Sequence, residues 1–456
     1  MHRVGFLKGV GLALVGLFWL AGLAKGQGFS VYEQSICAMG RASTGVAAPC
    51  ADGSAVFFNP AGIAQLKYIT ATAGVMMVRA NGHFIDDYTE VKTQLDDAPL
   101  FVPHLYLGMP VNERLAVALG VYVPYGLETK WPKDFDGAFL GYNSGVQSIY
   151  IQPTVAYRVT DQLSIGAGPV VNIASVKLKQ LADLSAVPVP GAGGLTFAAL
   201  GIPFHTAFAD GDLKGNGTGF GGHVGVLFEL NERVTLGARY LSQIKVDYDG
   251  DVSFSQVPTG ILLPADFTLP DGTQLPKGTP LDAILASQFS TGTLSPQGAK
   301  TSITMPAQLV VGLKLQATDA LTLMADYQWT GWSSFDKLEV DFEKAPDRTL
   351  EENYRDTNTY RVGATYQINP RVQVRLGYIY NEAAAPDETV TPLLPDANRN
   401  HFTAGLGIQA TDMIQMNFAY QFIRQDDRRG RTVEGPNNGL YEFTASLAAL
   451  SISVNF

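Results

Sequence analysis

Apolar residues and small or polar residues alternate one by one along most of the chain, over segments of about 9–12 residues. In the last segment, Leu450, Ile452 and Val454 alternate with Ser451 and Ser453. A repeat of two residues indicates strands with one apolar face. These segments are near the ~9–11 residues of a tilted membrane-spanning strand and longer than the usual ~5–6. The pattern therefore predicts an all-β fold with membrane-length strands.

The connections between these segments alternate between short polar turns and long stretches. Short turns rich in Asn, Asp and Thr suit tight connections, and we count about fourteen strands with both termini on the short-turn side. This layout predicts a transmembrane antiparallel β-barrel, because only closure pairs every strand edge in lipid. A soluble β-sandwich, which also alternates, is the alternative. The long connections are expected at 80–100, 124–147, 176–220, 247–305, 331–358, 381–400 and 424–440.

The composition excludes several classes of function. Only 16% of residues are charged, the net charge is −10, and no run of basic residues occurs. A nucleic-acid-binding protein needs clustered Lys and Arg, so none is expected as a partner. The Gly-rich stretch 215–222 does not sit in a βαβ unit, and there is no G-x-S-x-G motif. We therefore predict no enzyme, no cofactor and no metal site.

The N-terminus is predicted to be a signal peptide, residues 1–26. Arg3 and Lys8 precede the uncharged apolar stretch Gly9–Leu23, and small residues follow at Ala24 and Gly26. A membrane anchor is the alternative, but the stretch is short against the ~20 residues that a spanning helix needs. Export places the chain in an oxidising compartment.

Cys37 and Cys50 lie soon after this signal, and no His-rich context suggests a metal site. In an oxidising compartment the two cysteines are expected to form a disulfide. Two free buried thiols are the alternative. If the cysteines are bridged, the segment that carries them is stiffened.

Residues 27–66 lack the strand pattern and are predicted to form a plug in the lumen, with the barrel over 67–456. Asn59, Pro60 and Ala61 interrupt the apolar run FFNPAGIAQL. An Asn-Pro pair favours an extended or turned backbone, which suits a segment that turns to join the first strand. Phe57 and Phe58 then face the lumen, against the wall or a substrate. Asn59, Pro60 and Ala61 are therefore predicted gating residues of a stopper in the pore, and the alternative is a purely structural turn that anchors the plug.

Several stretches, in this order, resemble one known family. They are Gly28-Phe29, Gly40-Arg41-Ala42, Asn59-Pro60-Ala61, Val123-Pro124-Tyr125-Gly126-Leu127, Thr330-Gly331-Trp332-Ser333-Ser334-Phe335 and Pro395-Asp396-Ala397-Asn398-Arg399.

Together with the signal and plug, they resemble the FadL-type (OmpP/FadL/TodX-like) outer-membrane transporters of long-chain fatty acids and other hydrophobic compounds. The resemblance implies passive transport without a cofactor. A hydrophobic molecule is caught on an outer groove and passes to a pocket in the barrel. After the N-terminal end of the plug moves, the molecule leaves sideways beside a kinked strand. The cysteine pair is not part of the family pattern.

The loop 176–220 contains five apolar residues that are unusual for an exposed loop and predict substrate capture. The alternative is packing against the loop 247–305 through Ile261, Leu262 and Leu263. Phe29, Phe57 and Phe58 are further predicted ligand contacts. The five loop residues are Leu195, Phe197, Leu200, Phe204 and Phe208.

A fatty acid needs a cation for its carboxylate, and Lys314 and Arg375 lie in mid-strand on polar faces. An ion-pair network in the lumen, involving Asp326, is the alternative. Gly120 and Pro124 are predicted to mark the strand kink, because Pro donates no ladder hydrogen bond. For Pro124 the alternative is a strand end.

The resemblance thus implies passive transport of long-chain fatty acids or similar hydrophobic molecules across the bacterial outer membrane. An uptake channel for aromatic or alkane hydrocarbons is the first alternative. An adhesin-like barrel that binds partners through its loops and a barrel-embedded lipase are the others. The expected partners are the hydrophobic molecule, outer-membrane lipid and lipopolysaccharide, and the barrel assembly machinery through the terminal Phe456. A monomer is expected.

Overall fold

The structure is a computed structural model that describes residues 28–96, 98–188, 196–263, 266–268, 274–431 and 438–456. The predicted signal peptide and Leu195 lie outside the described residues. No helix among the described residues is long and apolar enough to cross a membrane.

Fourteen long strands of the described chain form one closed antiparallel barrel. Neighbours in sequence pair with each other, and β1 closes the barrel by pairing with β14 from Thr70–Asn455 to Asp86–Gly439. The strands are β1 Thr70–Asp86, β2 Leu100–Pro110, β3 Leu115–Lys130, β4 Asn143–Arg158, β5 Leu163–Asp183, β6 Ala207–Asn231, β7a Val234–Leu241 with β7b Ile244–Gln256, β8a Gln297–Met305 with β8b Gln308–Gln316, β9 Leu321–Thr330, β10 Thr357–Asn369, β11 Val372–Asn381, β12 Arg399–Gln409, β13 Ile414–Gln425 and β14 Gly439–Asn455.

The long connections carry short elements of their own. Three short strands extend the wall, because Lys92–Gln94 pairs with β1, Lys337–Phe342 pairs with β8a and Arg428–Gly430 pairs with β14. The remaining short strands are Phe267–Thr268, Gln274–Leu275 and Arg348–Glu351. The helices of these connections are Asp136–Phe139, Leu184–Ala186, Phe197–Leu200, Leu281–Ser290, Trp332–Ser334 and Asp387–Thr389.

The barrel turns its apolar face outward and its small or polar face inward. Phe402 is 54% exposed while Thr403 beside it is 5% exposed, and Leu450 and Ser451 on β14 differ in the same sense. This arrangement is the reverse of a soluble protein and is typical of a barrel that meets lipid. The sequence prediction of an all-β transmembrane barrel is confirmed.

Several strands are longer than the sequence predicted, and the long connections are correspondingly shorter. Strand β6 spans 25 residues, so much of the predicted connection 176–220 is strand. The outward face of β6 changes from Val226 and Phe228 to Asp212, whose carboxylate binds Lys179 of β5 at 3.0 Å. Strand pairing continues past the apolar belt, where apolar alternation ends, and the predicted bounds were wrong for this reason.

The plug, residues 28–66, is almost entirely buried inside the barrel. It contains α1 Ile36–Met39, α2 Ala55–Phe58 and the 3-10 helix Pro60–Gln65. Ser35 caps α1 by accepting a hydrogen bond from the N–H of Ala38. The predicted disulfide between Cys37 and Cys50 is present within the plug.

A row of inward-facing glycines seats the plug against the wall. A methyl group at any of these positions would overlap plug atoms, so the absence of a side chain permits the close approach. At Gly405, for example, an added Cβ would lie 2.7 Å from the Cα of Gly40. We call this set the glycine seat, and it comprises Gly166 of β5, Gly225 of β6, Gly237 of β7a, Gly363 of β10, Gly377 of β11 and Gly405 of β12.

Candidate functional site

Asn59 holds the plug together and fixes it to the wall. Its amide nitrogen donates to the carbonyl of Val46 at 2.7 Å and to the carbonyl of Val226 on β6 at 2.9 Å. Its Oδ1 accepts from the N–H of Ala61 at 3.1 Å, which caps the 3-10 helix. Pro60 occupies the first helical position, where no N–H is needed. The Asn-Pro break is therefore a capped turn buried in the lumen.

Phe57 and Phe58 lie in the plug core against the wall. The Phe57 ring packs edge-on against Tyr122, with centroids 5.4 Å apart, and the Arg239 guanidinium lies 4.8 Å from its centre. Phe58 contacts Phe57 at 4.9 Å. Both rings are buried.

Strand β3 has a bulge in its middle and separates there from β2. The register of β3 with β4 shifts between Tyr122 and Tyr125, so the bulge contains Pro124. Pairing of β2 with β3 stops at Leu105–Val121, although β3 runs on to Lys130. The wall therefore has a gap between these strands. Gly120 lies on β3 just before the bulge and packs against Val56 of the plug.

The first residues of the plug cover this gap from the inside. We call residues 28–35 the arm. The N–H of Val31 donates to the carbonyl of Pro124, and the N–H of Gly126 donates to the carbonyl of Phe29, both at 2.7 Å. The Gln34 amide donates to the carbonyl of Val123 at 2.7 Å and accepts from its N–H at 3.1 Å. The arm thus gives this part of β3 the hydrogen bonds that β2 gives to Ala116–Val121, nearer the short turn.

An aromatic box holds the tip of the arm. The Phe29 ring meets the rings of Trp332 at 4.8 Å, Phe335 at 5.7 Å and Tyr125 at 6.2 Å, all edge-to-face. Trp332 reaches this position because the chain turns into the lumen after β9, in the short helix Trp332–Ser334. Phe29 is 2% exposed.

Next to the arm, the half of the lumen near the long loops contains an apolar cavity, which we call the outer cavity. It holds about 770 Å³ of atom-free space, part of it open to solvent. Its polar edge carries Lys177, which binds Glu128 at 3.3 Å. Burial raises the pKa of the Tyr354 hydroxyl well above its usual value, so that the group stays protonated. The apolar lining includes Phe29, Val146, Val176, Leu178, Leu213, Ile303, Phe335, Leu338, Val340, Tyr354, Leu393 and Leu394.

The predicted capture residues of the loop 176–220 are mostly packed against the neighbouring loop. Phe197 and Phe208 are buried with Leu263, and Leu200 packs against the same cluster. Phe204 is 56% exposed and lies against His205. The packing between the two loops, which the sequence left as an alternative, is therefore present. Of the four predicted capture residues that the structure describes, Phe204 is the one with a largely exposed side chain.

The two predicted lumen cations lie outside the outer cavity. Lys314 lines a polar cavity near the short turns, together with Arg41 of the plug. Arg375 is buried beside Gly40 and donates to Asn417 at 2.8 Å. Asp326, predicted as an ion-pair partner, accepts hydrogen bonds from the N–H groups of Gly45 and Val46 in the plug.

Sequence reasoning missed Gln34, which lies in the plug with no pattern around it. Its role depends on the unpaired edge of β3, which is a property of the folded wall. Arg399 was quoted only as part of a motif, and the structure places it beside a second cavity.

A family described as "Outer membrane protein transport protein (OMPP1/FadL/TodX)" matches residues 17–456 of the chain. The chain belongs to this family. Its members are transport proteins, and the chain is accordingly an outer-membrane transport protein. The long loops then face the cell exterior and the short turns face the periplasm.

Curated relatives align with nearly the whole chain. The 47 kDa outer membrane protein of Pasteurella multocida is 28% identical and covers 89% of both chains. The long-chain fatty acid transport protein of Escherichia coli O6:H1 is 24% identical over 94% of this chain and 93% of its own.

Solved structures agree in fold. A Pseudomonas aeruginosa FadL homologue superposes with a TM-score of 0.78 at 22% identity, covering 94% of this chain and 100% of that one. The toluene transporter TodX of P. putida has a TM-score of 0.68 at 18% identity, with 95% and 99% covered. At these identities the likeness supports the barrel architecture alone.

Proposed function

We propose that the protein carries long-chain fatty acids, or hydrophobic molecules of similar shape, passively across the outer membrane. The relative from E. coli carries the name of such a transporter. The outer cavity is mostly apolar, with Lys177 and Glu352 as its charged lining residues, and this lining suits a long apolar tail. We further propose that the exposed side chains of Phe204 and Leu262 begin capture.

The proposed path runs from the outer cavity through the gap between β2 and β3. In the closed state, the arm fills the gap and binds the bulged edge of β3. This placement is the observation that carries the proposal, because moving one short segment both opens the wall and uncovers the cavity. Phe29 belongs to the arm and to the cavity lining, so a substrate that displaces this ring also loosens the arm.

The rest of the plug stays in place in this proposal. Asn59 and the glycine seat hold residues 36–66 against β5 to β12, and the Cys37–Cys50 disulfide closes the loop that touches β9. Neither Lys314 nor Arg375 lies on the proposed path from the outer cavity to the gap between β2 and β3. We propose that either one meets the carboxylate only when residues 36–66 move as well, because Lys314 lies beside Arg41 and Arg375 beside Gly40.

An aromatic hydrocarbon is the second candidate substrate, favoured by the aromatic box at the cavity floor. Uptake of labelled oleate and of toluene into reconstituted vesicles separates the two. Oleate uptake above that of an unrelated control barrel is the expected result. If neither compound enters faster than with the control barrel, the transport proposal is wrong.

We also propose that the protein functions as a monomer in contact with outer-membrane lipid and lipopolysaccharide. The terminal Phe456 is 60% exposed, and its N–H donates to the carbonyl of Ile69 at 2.9 Å. An exposed aromatic terminus on the last strand is available to the barrel assembly machinery before closure.

A further inference from the structure

A second cavity lies on the other side of the segment that carries Leu394. It contains about 460 Å³ of atom-free space, part of it open to solvent, and Leu394 lines both this cavity and the outer cavity. Its apolar surface comes from Ile423, Phe443 and Ala445 on β13 and β14. The two cavities are therefore neighbours that share Leu394 as a lining residue.

Arg399 supplies the cationic group of the second cavity. This side chain is 5% exposed, donates through Nε to Gln425 at 2.9 Å and binds Asp396 through Nη2 at 3.1 Å. Its Nη1 is buried and has no hydrogen-bond partner among the described residues. A buried guanidinium nitrogen without an acceptor is costly, and a carboxylate is the acceptor that matches it in charge and shape.

The second cavity also lies beside the gap in the wall. Ile423 and Ala445 belong to a buried apolar cluster that contains Val102 of β2 and Val123 of β3. Val31 of the arm is part of the same cluster. An occupant with its head at Arg399 therefore has apolar residues on the side of the exit.

We propose that the second cavity is a binding site for an aliphatic monocarboxylate, with Arg399 Nη1 as the anchor of the carboxylate. The site selects the acid over a neutral molecule with the same tail. This inference rests on the proposed transport of fatty acids and adds a residue that determines the substrate class. The guanidinium stays paired with Asp396 while Nη1 binds the ligand.

The test compares oleate with oleyl alcohol, which have the same tail and differ in the head group. Equilibrium binding to the purified protein is measured for the wild type, Arg399→Gln, Ala445→Leu and Arg424→Gln. Arg424 is the matched control, because it lies on β13 next to Gln425 but is exposed on the outer face. A soak of crystals with dibromostearate locates each bound tail by its bromine signal.

Arg399→Gln should weaken oleate binding at this site by about tenfold or more, since a hydrogen bond between charged groups is lost, and should leave oleyl alcohol binding little changed. Ala445→Leu should remove the bromine signal from the second cavity and keep the one in the outer cavity. Arg424→Gln should bind like the wild type. Equal effects of Arg399→Gln on both ligands, or no effect on either, would overturn the inference.

Two outcomes separate this inference from the proposed function. If the wild type transports oleate but bromine appears only in the outer cavity, the second site is wrong and transport stands. If the wild type neither binds nor transports oleate, the proposed function fails first. Should Arg399→Gln not fold, as judged by its heat-dependent mobility on gels, the Ala445→Leu result decides.

Discussion

Replacing Gln34 with alanine should open the channel without unfolding the barrel. In the closed state, the Gln34 amide pairs with both the carbonyl and the N–H of Val123. Alanine leaves these two buried backbone groups without partners, and each such group costs about 1–3 kcal/mol. The cost falls on the closed state only, because water reaches Val123 once the arm has left. We therefore expect the closed state to lose at least about 2 kcal/mol, which multiplies the open fraction by about thirtyfold.

Ion current through single proteins in a planar bilayer measures this change directly. Gln65→Ala is the matched control, since Gln65 is also a plug glutamine but binds Glu229 at 2.8 Å near the periplasmic end. Gln34→Ala should show frequent openings, while Gln65→Ala should stay close to the wild type. If Gln34→Ala is as quiet as the wild type, or if both variants leak equally, the arm does not seal the gap in the way described.

Two further changes test the glycine seat and the Cys37–Cys50 disulfide of the plug. In Gly225→Ala, the new methyl group overlaps Asn59, so the plug should be displaced and the ion current should rise about tenfold. Gly222→Ala is the control, because the space around Gly222 is open, and its current should equal that of the wild type. Equal currents in the two variants would contradict close packing of the plug on the glycine seat. Replacing Cys37 and Cys50 with serine removes a cross-link between residues 13 positions apart. The loop then loses about 3 kcal/mol of loop-closure stabilisation, so amide hydrogen exchange in it should accelerate by about a hundredfold. Unchanged exchange would mean that the seat alone holds the loop.

Much of the barrel is readable from the chain, because a strand between lipid and a polar lumen must alternate at every residue. Phe402 and Thr403 on β12 show this constraint in its simplest form. The constraint ends where strands leave the membrane. There, β6 continues to pair with its neighbours although its outward residues, such as Asp212, are no longer apolar, and no apolar alternation marks the strand. The extended upper walls were missed for this reason.

The plug was recognisable as a segment, but its contacts were not. Gly225 and Gly405 are distant in sequence and share a role only because β6 and β12 both face the plug. Pro124 was identified as a candidate kink or a strand end, and the structure places it in a bulge of a strand that continues to Lys130. Arg399 has no recognisable role in sequence, since its significance depends on which of its nitrogens lacks a partner.

The central claim is that hydrophobic molecules leave through the gap beside the bulge in β3. The bulge holds one extra residue relative to β4, because Tyr122 pairs with Tyr150 and Tyr125 pairs with Ser148. Deleting Pro124 should therefore restore regular pairing, preserve the facing of both flanking tyrosines and let β3 pair further along β2. Oleate uptake by the folded deletion variant should fall to the level of a control barrel. Uptake equal to that of the wild type, with the variant correctly folded, would contradict exit through this gap.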